Sequence, residues 1–94
     1  MNIFEKIKFK LLRKNKKNDL IQESFSNFYQ EQKLGKEYSD LGDVRTAMGI
    51  FAGSHFHLNK FLIYCKLSGK DGKQTFLELS KKEKERYNDT VRNL

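Results

Sequence analysis

The sequence predicts an all-α fold, a compact bundle of four to five short helices. Three observations carry that prediction. Apolar residues recur at helical spacing along most of the 94-residue chain, no proline interrupts it, and two Thr/Ser-x-x-Glu strings mark helix starts. A chain of this length makes one domain over residues 1–94, because it does not divide into two independent cores. Eight Phe and four Tyr supply large buried area per residue, which a disordered chain of 33% charged residues would lack.

The elements follow in order. Over residues 2–14, Ile3, Phe4, Ile7 and Leu11 share one helical face, with Lys6, Lys10, Arg13 and Lys17 on the other side and Phe9 opposite the apolar stripe. The polar run Lys14-Asn15-Lys16-Lys17-Asn18 reads as a loop. Asn18 or Asp19 then caps a second helix through Leu34, buried by Ile21, Phe25, Phe28 and Tyr29 and stopped by Gly35. After a link at 36–42, Val44, Ala47, Met48, Phe51 and Ala52 give a third amphipathic repeat. Gly53-Ser54 interrupts it, and Leu58, Phe61, Leu62 and Cys65 resume the spacing until Gly69. A last helix starts at Thr75 or Ser80 and runs to about Asn93, with Phe76, Leu79, Tyr87, Val91 and Leu94 in phase. The alternative is an α+β fold with strands at 60–67 and 74–79 and Asp71-Gly72 in the hairpin turn, since Phe61 to Tyr64 has the β-propensity for it.

Charge is the most informative feature. Of the formal net +7, residues 1–17 carry seven Lys/Arg against one Glu, a net +6. Residues 1–17 therefore form a basic amphipathic N-terminal helix or arm, suited to phosphates, an acidic protein surface or an anionic membrane surface. The single cysteine, Cys65, excludes an intrachain disulfide framework and reads as a buried structural thiol. No stretch reaches the ~18 apolar residues of a membrane span. The start lacks the uninterrupted apolar region of a secretory signal, so a cytoplasmic location is expected.

No catalytic constellation is legible, and a non-enzymatic role is expected. His55 and His57 diverge by roughly 200° on a helix and, with Cys65, complete no metal spacing, so neither metal nor cofactor is proposed. Gly49-x-x-x-Gly53 reads as a tight helix crossing or a break. Gly69-Lys70-Asp71-Gly72-Lys73 is a turn and not a phosphate loop. The string from Phe76 to Tyr87 is similar to the end of an HMG box over a dozen residues. The chain has no tryptophan and no equivalent of that family's other helices, so the resemblance carries no function over.

The functional expectation is a small basic binding protein acting stoichiometrically on nucleic acid or on a nucleic-acid-handling complex. A mobile-element accessory or inhibitor fits this form. The contact residues expected are Lys6, Lys8, Lys10, Arg13, Lys14, Lys16 and Lys17, supported by Lys81, Lys82, Lys84 and Arg86. In the last helix Glu83 and Glu85 alternate with these cations, which intrahelical ion pairs explain equally well. The alternative is a protein or membrane-surface adaptor, in which Ile3, Phe4, Ile7 and Leu11 are exposed rather than core. Burial or exposure of that stripe separates the two.

Overall fold

The computed structural model describes residues 1–93, which form four α-helices: α1 (Ile3–Lys10), α2 (Lys14–Asp40), α3 (Val44–Leu67) and α4 (Gly72–Arg92). Among the described residues there is no strand. Helices α2 and α3 make the scaffold. Along α3, Ala47, Phe51, Ser54, Leu58, Phe61 and Cys65 alternate steps of four and three, and along α2 so do Ile21, Phe25, Phe28, Gln32 and Gly35. A period near 3.5 residues keeps such a row on one side of a helix and favours a long paired seam.

The antiparallel register sets Gly35 against Phe51, Gln32 against Ser54 and Phe25 against Phe61. Ile21, Phe25, Phe61 and Cys65 form the buried cluster at one end, covered by Tyr29, Leu58, Tyr64, Phe76 and Leu79. At the other end the helices close because Gly35 has no side chain. A Cβ there would meet Phe51 Cε1 at 2.6 Å. Gly35 is therefore not the stop that the sequence suggested; α2 passes through it to Asp40.

Two corners of the same design end the long helices. Gly42, at φ +86°, lets its N–H bond Ser39 O and the Asp43 N–H bond Tyr38 O, both at 3.0 Å. Asp43 then opens α3, its carboxylate accepting from the Thr46 N–H at 3.2 Å and the Thr46 hydroxyl at 2.7 Å. Gly69, at φ +70°, ends α3 likewise, with the Lys70 N–H on Cys65 O at 2.9 Å. Asp71 caps α4 through the Gln74 N–H at 3.1 Å.

These corners overturn several local expectations. Phe61 to Tyr64 continue α3 and Asp71-Gly72 opens α4, so the hairpin at 60–79 does not form. Thr75 and Ser80 lie inside α4 because Asp71 already caps it; the Thr75 hydroxyl donates to Asp71 O at 2.8 Å. Ser54 is fully buried within a continuous α3, donating to Phe51 O and accepting from Gln32 Nε2, each at 2.7 Å. The crossing expected at Gly49-x-x-x-Gly53 is instead at Gly35: a Cβ on Gly49 meets nothing within 4 Å. Residues 14–18 are helix rather than loop.

The helices are also longer than expected, with 27, 24 and 21 residues in α2, α3 and α4. Helix α4 packs by its first half, where Phe76 meets Phe25 edge-on at 5.2 Å, and its C-terminal half is largely exposed. The molecule measures 43 × 34 × 18 Å with a radius of gyration of 15.2 Å. About 12 Å is usual for this length, so the bundle is somewhat extended.

The Gly35–Phe51 contact is testable by equilibrium denaturation. Gly35→Leu should destabilise the fold by about 1–3 kcal/mol through overpacking. Adding Phe51→Ala should recover part of that loss, whereas additive losses would show that the two residues do not meet.

Candidate functional site

Helix α1 is two turns long, opened by Asn2, whose side chain accepts the Glu5 N–H at 2.9 Å. A helix this short is marginal by itself, so its position depends on docking. The docking group is Phe9, which is 2% exposed and stacks on Tyr64 of α3 with centroids 4.5 Å apart and planes 16° apart. Lys17 places its ammonium 5.9 Å from the Phe9 ring centroid. The residue that broke the apolar stripe in sequence is thus the one that the fold buries.

The stripe itself faces away from the bundle. Ile3, Phe4, Ile7 and Leu11 are 67, 77, 51 and 81% exposed. At roughly 100° per residue, the midpoint of these four lies about 180° from Phe9. The core between α2 and α3 is covered without α1, by Tyr29, Leu58 and Tyr64 and by Phe76 and Leu79 of α4, and α1 docks on α3 with the Phe9 ring rather than with its four-residue apolar stripe.

A groove runs along each flank of α1. On one side Lys6 and Lys10 face Lys66 across Ile63 and Leu67, enclosing about 400 Å³. On the other, Glu5, Lys8, Phe9 and Leu12 meet Leu20 of α2 and Lys60 and Tyr64 of α3 around about 340 Å³. Lysines therefore border the outward stripe on both sides. Lys60 and Lys66 were not among the residues expected from sequence. Their only signal was as the two cations within the largely apolar stretch Leu58 to Leu67.

Arg13, Lys14, Lys16 and Lys17 stand at the start of α2, Arg13 in the cap position without a side-chain cap bond and with no acid in the first turn. Cations at the positive end of the helix dipole are unfavourable, so this end of α2 is an unneutralised positive centre. The second expected set is not brought to it. Lys82 and Arg86 line clefts formed by α2 and α4 alone, together with Asp19, Glu23 and Glu83. Arg86 lies 3.5 Å from Glu83, and Lys81 and Lys84 are exposed on α4. The eleven expected contact residues thus fall into an N-terminal group and a separate group mixed with acids.

Other reactive side chains are accounted for structurally. His57 Nε2 is 3.2 Å from the Glu31 carboxylate, and His55 is exposed. Among the described residues no three His, Cys, Asp or Glu side chains gather as a metal site, and no helix is long and apolar enough to cross a membrane. Burial pushes the Cys65 thiol up from its ordinary value, and the nearby Thr75 and Lys70 oppose it only in smaller part. Comparison with protein-family models, curated proteins and solved structures gives no match.

Two outcomes test this geometry. Burial, then the nearby Glu5 and Glu23, raises the Tyr64 pKa above the usual phenol range. The unfolded chain therefore releases this proton first, and the Tyr64 contribution to stability is lost as pH rises from the ordinary phenol pKa through the folded one. Phe9→Ala should uncover the ring and bring its phenolate absorbance titration back toward ordinary phenols; an unmoved titration would mean that Phe9 does not cover it. Lys14→Glu should stabilise the fold by about 0.3–1 kcal/mol in thermal unfolding at low salt, with the gain shrinking as salt is added.

Proposed function

We propose that this protein is a non-catalytic binding module that attaches through α1 to an acidic membrane surface. The observation that carries the reading is the outward stripe of Ile3, Phe4, Ile7 and Leu11, bordered by Lys6 and Lys10 on one side and Lys8 on the other. A short basic amphipathic helix of this kind lies in the interface plane, with its apolar face among the acyl boundary and its lysines at the headgroups. Burying one large apolar side chain stabilises by about 1.5–3 kcal/mol, and each cation near an anionic surface adds roughly 1 kcal/mol. Both components are available here on one face. Phe9 keeps the helix attached to the bundle while that face is engaged.

Nucleic acid is the second reading. It is favoured by one observation, the concentration of Arg13, Lys14, Lys16 and Lys17 at the unneutralised start of α2. It leaves the four exposed apolar side chains of α1 without a role, which is why it comes second.

Flotation of the full chain with vesicles of phosphatidylcholine alone, and with added phosphatidylglycerol, tests the proposal. The protein should float with the acidic vesicles, less so at high salt. Phe4→Ser should lower the partition about tenfold or more. If the Phe4→Ser protein floats as well as the original, the membrane reading is lost. Salt-sensitive binding of mixed-sequence DNA by a protein that does not float would move the reading to nucleic acid.

A further inference from the structure

The two grooves beside α1 differ in charge. The one with Leu20 and Tyr64 includes Glu5 together with Lys8 and Lys60. The one over Ile63 and Leu67 is lined by Lys6, Lys10 and Lys66, with no acid among its lining residues. Lys6 and Lys10 are i, i+4 on α1, a like-charge pair that repels, and Lys66 brings a third cation from α3 to the same space. Nothing within the groove relieves that repulsion, so an anion entering it gains from all three. The floor is different in kind. Ile63 and Leu67 offer apolar surface that a bare inorganic anion would leave uncovered.

We infer that this groove binds the headgroup of a single acidic phospholipid, its phosphate among Lys6, Lys10 and Lys66 and its first methylenes against Ile63 and Leu67. The volume of about 400 Å³ lies within the roughly 300–1,000 Å³ of small-molecule sites. Position supports the same occupant. Around α1, Lys6 and Lys10 fall between the buried Phe9 and the exposed Ile3 and Ile7, so the groove borders the side of α1 proposed to lie on the membrane. A lipid reaching it would keep its chains on the bilayer side. The inference rests on the membrane reading for how the lipid arrives, and adds to it a specific site for the headgroup.

Short-chain phosphatidylglycerol below its micelle concentration, titrated into the full chain and followed by amide chemical shifts, tests the site without a bilayer. Saturable shifts are expected at Ile63, Lys66 and Leu67. Short-chain phosphatidylcholine should not saturate these positions, because its choline opposes the lysines. Inorganic phosphate, lacking the methylenes, should bind about tenfold more weakly or less. Lys66→Gln should weaken phosphatidylglycerol about tenfold, and Lys66→Arg should restore it. Equal shifts from phosphatidylcholine, a Lys66→Gln protein that titrates unchanged, or shifts spread over residues 13–17 instead of the groove would overturn the inference. Equal binding of phosphate would show an anion site with no lipid component, which also overturns it. The outcomes separate the two proposals: flotation without groove saturation removes only the headgroup site, and groove saturation without flotation removes only the membrane reading.

Discussion

Gly35 lets α2 and α3 approach until Phe51 fills the space a side chain would have taken. That contact fixes a register, and the register then brings Gln32 to the buried Ser54 and Phe25 to Phe61. Two long helices paired in this way bury one stripe each. The remaining faces of α3 are left to receive α1 and α4. Phe76 takes the face beside Phe25 and Phe61, and Phe9 takes the ring of Tyr64. Each peripheral helix is thus attached through few large side chains, and of the two α4 also covers the core, through Phe76 and Leu79.

The attachment of α1 explains how so short a helix can present apolar surface outward. The buried contact of these two turns is the Phe9–Tyr64 stack, with Lys17 near the Phe9 ring, and it uses the side of the helix that carries fewest apolar residues. The four apolar residues on the other side remain in water at a free-energy cost. Contiguous exposed apolar surface rimmed by charge is the usual mark of an interaction surface. Because α1 adds little to the α2–α3 core, its docking has the weak local stability that permits adjustment on binding.

Charge divides the molecule in a parallel way. Lysines of α1 and of the start of α2 meet no compensating carboxylate at the helix end, and Lys66 adds to them from α3. Lys82 and Arg86 of α4 lie among Asp19, Glu23 and Glu83, in a cleft lined by side chains of both signs. The same residue type therefore plays two parts. In α4 it solvates an exposed helix with nearby acids, and around α1 it leaves a field directed outward.

Helical class was legible from periodicity because the α2–α3 seam is built from regular spacing, and Ile21, Phe25, Phe61 and Cys65 occupy the buried positions that the spacing indicated. The concentration of positive charge in residues 1–17 was fixed by sequence alone. Helix ends were less legible. Gly35 and Gly42 are the same residue type, and only the approach of Phe51 makes the first a contact point while the positive φ of the second makes it a stop. The direction of α1 was beyond sequence for the same kind of reason. Four apolar residues outvote one Phe in any periodicity, but burial is decided by the complementary surface, and α3 presents one flat ring at Tyr64. The sequence thus determined an amphipathic, basic first helix, whereas packing against α3 decided which of its faces is left free to bind.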